Sequence, residues 1–350
     1  MTAPVSIIIP AHNQLEYCRQ CIHSIQTHTD YAYRLILVDN ASTDGVTDYF
    51  DTIQDAVVVH SKANLGFPGG VNLGLSHAVG HVLILNSDTI VPPRWLSRLV
   101  QALDQSPRIG IVGPKSNYVS GPQLVPDITL ATLDAIHSFA DGLHARHGPA
   151  LTDVDRLVGF CMLIRDTAFR DVGRFDESFG IGNFEDDDYC LRARRAGYRV
   201  CIAEGCFVFH YGSRTFQSLG YDSSRFDALI RHNESIFNEK WGLPKDHPSR
   251  SWHVSLRLNR EARAFLDAGN LVGALNTLKE AVAVCPTFEQ NYNDVGVILW
   301  RLGEKEQAYR QFVRAVRLNP RHPEARSNLI DAAEALGRSD EAGKLLNPTC

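Results

Sequence analysis

Five short apolar runs, each followed at once by polar or turn residues, constrain this chain more than any other feature of its sequence. Val5–Ile9, Leu35–Val38, Val57–Val59, Val82–Leu85 and Ile109–Val112 are too short for helices and almost wholly apolar. Strands buried on both faces of a sheet read this way. Between them lie helical stretches near Gln14–Gln26, Val46–Gln54, Gly70–Val79 and Arg94–Gln105. The alternation predicts a mainly parallel, Rossmann-like α/β sheet with helices on both faces. Its strand tips then lie side by side and build one crevice, where open α/β sheets place their ligands.

The residues delivered to that crevice have usable chemistry. Pro10 and His12 follow the first run, Asp39 to Thr43 the second, Asn64 to Gly70 the third, and Asn86, Ser87 and Asp88 the fourth. An ionised Asp39 accepts hydrogen bonds only and suits the N–H of a pyrimidine ring, while Asn64 offers donors and acceptors to a ribose or phosphate. Gly66, Gly69 and Gly70 precede a helical pattern, so backbone can approach a ligand and turn its N–H groups toward an anion. Asp88 suits a divalent cation carrying a diphosphate. The plain alternative is that Asp39, Asn86 and Asp88 cap turns and the glycines only make a loop.

Composition removes several function classes. A formal charge of -5 over 350 residues gives no basic excess for neutralising phosphates, so no nucleic-acid partner is expected. No GxGxxG follows the first run and no GxxxxGK(S/T) occurs, which argues against a dinucleotide dehydrogenase and a P-loop NTPase. The opening MTAPVSIIIPAHN has neither a basic flank nor a long apolar run. It reads as neither signal peptide nor membrane span, and the chain as cytoplasmic with no transmembrane segment. Eight scattered cysteines suit a reducing compartment, and Cys18 and Cys21 share one apolar helix face with Leu15, Ile22 and Ile25, which predicts core packing.

Further along, SNYVSGPQLVPD is rich in turn residues and reads as a loop over the site, Leu133–Ala145 as a helix, and Leu157–Ile164 and Cys206–His210 as strands. In Gly182–Gly197, GNFEDDDYCLRARRAG, Asn183 is the expected helix N-cap and Gly197 the stop, with four carboxyls in the first turn. A neutral His210 imidazole could complete a metal site with Asp88, and Arg214 could face a diphosphate. Residues after Phe216 carry little further motif information.

SIIIPAHN, ILVDNASTDG, NLGFPGGVNLGL, ILILNSDTIVPPRWL, VGFCMLIRDTAFRDVGRFDESFG, FEDDDYCLRARRAGYRV and FVFHYGS resemble, in order, the signature segments of family 2 glycosyltransferases with the GT-A fold. The resemblance covers roughly residues 4 to 215. It implies an inverting transferase using a nucleoside-diphosphate sugar and a divalent metal, manganese or magnesium. Asp39 would hold the base, uridine or thymidine for preference, with Pro10 and His12 in the same subsite. Asp88 would end a DXD-like element in which Asn86 replaces the first Asp. Glu185 and Asp186 match the family's acidic pair, with Asp186 as general base. A catalytically idle relative whose repeats scaffold other proteins is the alternative.

Those repeats follow a linker read at 241–255. Ala262 and Gly296, Gly269 and Gly303, Ala274 and Ala308, Ala281 and Ala315, and Pro286 and Pro320 recur at a spacing of 34, and Gly337 and Ala342 begin a third, incomplete unit. The pattern resembles tetratricopeptide repeats. The expected organisation is a catalytic domain over 1–240, divided into a nucleotide-sugar half (1–115) and an acceptor half (116–240), then an all-α repeat domain over 256–350. The repeats are expected to serve protein contacts, either holding a protein acceptor or joining two copies of the chain as a homodimer.

Overall fold

The computed structural model describes residues 4–125, 128–212, 219–220, 222–242, 248–286, 288–319 and 322–346. The chain divides into two compact units, Met1–Gly242 and Leu243–Cys350. Among the described residues no helix is long and apolar enough to cross a membrane.

In the first unit the apolar runs become β1 (Val5–Ala11), β2 (Tyr33–Asp39), β3 (Ala56–His60) and β4 (His81–Leu85), which lie parallel in the order β3-β2-β1-β4. Successive side chains point to opposite faces, and both faces are covered. Ile7, Ile9, Leu35, Leu37, Leu83 and Leu85 pack with α1 (Leu15–His28), α2 (Val46–Asp51) and α4 (Trp95–Asp104). Ile8, Ile36, Val38, Val82 and Ile84 pack with α3 (Gly66–Leu75), α6 (Asp166–Val172) and α7 (Glu185–Arg195). Burial on both faces is why these strands read as unbroken apolar runs. Cys18 and Cys21 lie inside this core, and burial raises both thiols, Cys21 to about 12.

The sheet continues through β8 (Cys161–Ile164), β6 (Ile109–Lys115), β9 (Arg199–Phe207) and β7 (Leu151–Asp153), with β8 and β7 antiparallel to their neighbours. The strand expected over 157–164 is therefore confined to its last four residues, inserted between β4 and β6. The one expected over 206–210 is split: β9 ends at Phe207, and β10 (Phe209–His210) leaves the main sheet to pair with β5 (Thr89–Ile90). Helix α5 (Leu133–His147) packs beside β9, its N-cap Thr132 accepting the Ala135 N–H. The first unit closes with α8 (Ser223–Trp241).

The second unit is all helical: α9 (Pro248–Asp267), α10 (Leu271–Val284), α11 (Glu289–Arg301), α12 (Lys305–Leu318), α13 (Pro323–Ala335) and α14 (Ser339–Leu346). Residues 248–255, read as linker, form the first turns of α9. The six helices make three pairs, so the third unit is a full helix pair with a shorter second member. Gly269, Gly303 and Gly337 end the first helix of each pair with φ of +74, +85 and +69, a left-handed stop open to glycine, which explains their spacing. Ala262, Ala274, Ala308, Ala315 and Ala342 are buried where neighbouring helices approach. The fold class read from sequence, a mainly parallel α/β domain followed by all-α repeats, is the observed one.

Candidate active site

At the tips of β1 and β2, Ala11 stands opposite Asp39. Asp39 is buried and tied into the loop that follows it: Oδ1 accepts the Ser42 N–H at 2.9 Å, and Oδ2 accepts the Thr47 hydroxyl at 2.6 Å and lies 3.3 Å from His60 Nδ1. Burial alone would raise its pKa, but the hydrogen bonds from Thr47, Ser42 and His60 outweigh it and hold the carboxyl below its usual range. Asp39 therefore caps its turn, and a carboxylate has about four lone-pair directions, which leaves room for a ligand N–H as well. His12 points Nδ1 at the Asn40 carbonyl, 2.9 Å away. Pro10 lies in β1 against Gly70.

Asn40, named in the sequence only as part of a tip, fastens the third tip. Its Nδ2 donates to Asn64 Oδ1 (3.1 Å) and the Gly66 carbonyl (2.9 Å), and its Oδ1 accepts the Leu65 N–H at 2.8 Å. Asn64 Oδ1 in turn accepts the Gly66 N–H at 2.9 Å. The glycines do not precede the helix as expected; Gly66, Gly69 and Gly70 lie within its first five residues, and its first N–H groups are already engaged: Gly66 donates to Asn64, Phe67 donates to the Ile181 carbonyl, and Pro68 has no N–H to offer an anion. Gly66 has φ +71, and a Cβ there would lie 1.9 Å from the Gly180 carbonyl oxygen. Gly66→Ala should cost about 2–5 kcal/mol, combining left-handed strain and overpacking. Urea unfolding of the two proteins measures it.

Asp88 and His210 are 122 residues apart in sequence, and the short β5–β10 pairing joins them, since β5 begins directly after Asp88 and His210 stands opposite Thr89. His210 Nε2 lies 3.1 Å from Asp88 Oδ1. Its other nitrogen, Nδ1, points at the Tyr118 carbonyl at 2.8 Å, which fixes Nδ1 as the protonated one. Asn117 holds the His210 backbone on both sides, accepting its N–H at 2.9 Å and donating to its carbonyl at 3.0 Å. Phe160 stacks on the imidazole at 5.1 Å. A neutral His210 so held presents the Nε2 lone pair to a carboxylate oxygen. Either a second ring proton or a bound cation reconciles the two acceptors; the pair offers a cation one nitrogen and one oxygen, and among the described residues no group of three or more His, Cys, Asp or Glu side chains gathers to hold one. Asn86 Nδ2 stands 3.4 Å from the same nitrogen, and Ser87 is buried with its side chain on the Cys18 thiol.

The acidic helix starts later than its N-cap signal predicts. Asn183 is not the cap; Phe184 occupies that position without a side-chain cap bond, and both have φ of 73. Left-handed backbone at two successive non-glycine residues costs about 1–2 kcal/mol each, so the surroundings must hold this entry. The four carboxyls then part company. Asp186 Oδ2 accepts the Gly159 N–H and Oδ1 the Asp187 N–H, both at 2.9 Å. Asp187 forms an ion pair with Arg156 at 2.8 Å, though the N–H is not aligned along it. Asp188 binds Arg192 (2.8 Å), Trp241 Nε1 (2.9 Å) and Lys240 (2.7 Å). Glu185, 5% exposed, has no hydrogen-bond partner for Oε2.

Burial first, and the Asp186 charge second, push Glu185 well above the usual carboxyl range. A raised carboxyl contributes its full stability below the unfolded value near 4.5, and that contribution is lost as pH rises toward the folded pKa. Glu185→Gln, which keeps the neutral shape, should therefore match the wild-type Tm at pH 4 and exceed it increasingly toward pH 8. A constant offset across that range would place the burial elsewhere.

These groups share one end of the sheet. The Asn86 N–H donates to the Phe160 carbonyl, the next residue back is the Gly159 that holds Asp186, and Phe67 of α3 flanks the same glycine. Two consecutive residues thus touch His210 and Asp186, Phe160 by stacking on the imidazole and Gly159 by its N–H. Tyr118, Gly159 and Phe160 were invisible as site residues because their contributions are backbone groups and packing, and Asn117 because its side-chain amide binds the backbone of a residue distant in sequence. Arg214 lies outside the described residues.

Residues 6–173 match the family model described as Glycosyl transferase family 2, and residues 296–347 match a tetratricopeptide repeat. The chain is 30% identical over 212 residues to the pre-mycofactocin glycosyltransferase of Mycobacterium tuberculosis, across 59% of this chain and 42% of that protein. It is 25% identical over 295 residues to the N-acetylglucosaminyl-diphospho-decaprenol L-rhamnosyltransferase of the same organism, across 73% of this chain and 89% of that one. A solved structure, the mannosyltransferase PcManGT from Pyrobaculum calidifontis in complex with GDP-Man and Mn2+, aligns with a TM-score of 0.48 at 17% identity, covering 99% of this chain and 86% of that one. The chain spans 30% and 42% of the length of two curated relatives that it matches.

Proposed function

We propose that this chain, whose first domain belongs to glycosyl transferase family 2 and whose second carries tetratricopeptide repeats, transfers a sugar from a nucleoside diphosphate to an acceptor hydroxyl with inversion at the anomeric carbon. The observation that supports the reading is that adjacent residues contact the two groups: Phe160 stacks on His210, the partner of Asp88, and the Gly159 N–H donates to Asp186.

In this reading Asp39 and His12 receive the base, for which uridine or thymidine suits a single acceptor carboxylate, and Asn64 receives ribose or phosphate. Asp88 and His210 would hold manganese or magnesium, which supplies positive charge beside the leaving diphosphate. Asp186 accepts the acceptor's proton while that oxygen bonds to the anomeric carbon. The carbon–phosphate-oxygen bond breaks as it forms, and its electron pair leaves with the nucleoside diphosphate. The two N–H groups on Asp186 keep its carboxylate aimed, and the burial that raises the Glu185 carboxyl disfavours a second negative charge beside it.

The repeats support protein contacts, holding a protein acceptor or a second copy of the chain. A panel of sugar nucleotides, read by thermal shift with and without manganese, tests the donor. A ligand at about 100 times its Kd should add about 2.7 kcal/mol of stability. A panel in which no sugar nucleotide shifts the Tm, with or without manganese, would sink the donor assignment.

A further inference from the structure

Helix α8 lies beyond every motif of the sequence, yet one of its side chains holds the entry to the acidic helix. Asn233 is 1% exposed, and its Nδ2 donates to three carbonyl oxygens: Phe179 at 2.9 Å, Gly182 at 2.9 Å and Asn183 at 3.0 Å. All three partners are acceptors, so the amide can be oriented only one way. They belong to the segment that climbs into α7 through Gly180, Gly182, Asn183 and Phe184, every one of them with positive φ. Two of those four are not glycine and do not hold that conformation unaided. Phe184 also packs on Phe237, one turn along α8 from Asn233.

We infer that Asn233 is a positioning residue for the proposed transfer: its amide clasps the left-handed entry of α7 and so fixes where Asp186 and Glu185 point. It touches none of the reacting groups. Asp186 accepts hydrogen bonds from Gly159 and from its own helix, so its aim depends on where α7 begins. Misplacement of a reacting group by about 1 Å costs on the order of 100-fold in rate. The groups assigned to the donor, Asp39, Asn64, Asp88 and His210, stand on other elements, and the entry segment meets the third tip through the Phe67 N–H on the Ile181 carbonyl and Gly66 against Gly180, so kcat should fall further than donor affinity.

The inference rests on the glycosyl-transfer reading, and the experiment separates the two. Release of nucleoside diphosphate from the donor is measured with manganese for the full chain, Asn233→Ala and Asn233→Asp, from pH 5.5 to 8, with Tm recorded at each pH. The expected result is a kcat lowered about 10- to 100-fold with the donor KM within about threefold. Asn233→Asp should be the poorer variant at pH 8, where a carboxylate faces three carbonyls. It should recover several-fold relative to wild type toward pH 5.5, where protonation restores one donor. Kcat within twofold of wild type, or a loss shared equally by KM, overturns the inference. If Asn233→Ala is unfolded at the assay temperature, Asn233→Asp decides, and a flat ratio to wild type across pH in the folded protein overturns it. A wild-type chain that releases no nucleoside diphosphate from any sugar nucleotide overturns the reading and the inference with it.

Discussion

Asp186→Asn is expected to lower turnover by about 100-fold or more while the donor still binds, because proton acceptance by a positioned side chain contributes about 10²–10⁴ in rate. The substitution is not silent structurally. Both carboxylate oxygens accept backbone N–H groups, from Gly159 and Asp187. An amide must turn its NH2 toward one of those donors, at a stability cost of about 1–3 kcal/mol. Tm is therefore measured beside kcat, and a loss of rate beyond the unfolded fraction is the predicted outcome. Near-normal turnover would move the base to Glu185, whose Oε2 lacks a hydrogen-bond partner.

The second large effect concerns the metal pair. Asp88→Ala should weaken donor binding at least tenfold in the presence of manganese and remove the difference between manganese and chelator, in line with the loss of a ligand oxygen. His210 keeps its place in that variant, since the Tyr118 carbonyl and Asn117 hold it independently of Asp88. His210→Ala should then act in the same direction. Calorimetry of donor binding with each protein, with metal and with chelator, reads both. Affinity unchanged by the substitution and by the chelator would show that Asp88 and His210 form a proton-shared pair only.

What the sequence could convey followed from how local each feature is. β1 to β4 were legible because burial on both faces writes a strand as an unbroken apolar run, and the repeats because three left-handed glycines recur at a fixed spacing. The insertion of β8 between β4 and β6 was not legible: an apolar run carries no direction, and Leu85 meets Cys161 across 76 residues. The union of Asp88 and His210 hangs on two strands of two residues each, too short to leave a periodic signal. Asn183 looked like an N-cap by type, but packing of Phe184 and the grip of Asn233 shift the helix start by one residue. The stretch after Phe216 looked uninformative, yet it supplies Asn233, Lys240 and Trp241 to the acidic helix and its entry. Nothing in their local pattern distinguishes them from an ordinary amphipathic helix.

The full chain incubated with manganese and a panel of sugar nucleotides, with nucleoside diphosphate release followed in time and the first-formed sugar product examined by NMR, tests most directly whether Asp186 and the Asp88–His210 pair work as one transferase site. The predicted result is consumption of a sugar nucleotide, product appearing first in the anomeric configuration opposite to that of the donor, and both events slower by about 100-fold or more with Asp186→Asn. Product of retained configuration, or no release from any sugar nucleotide, would contradict it.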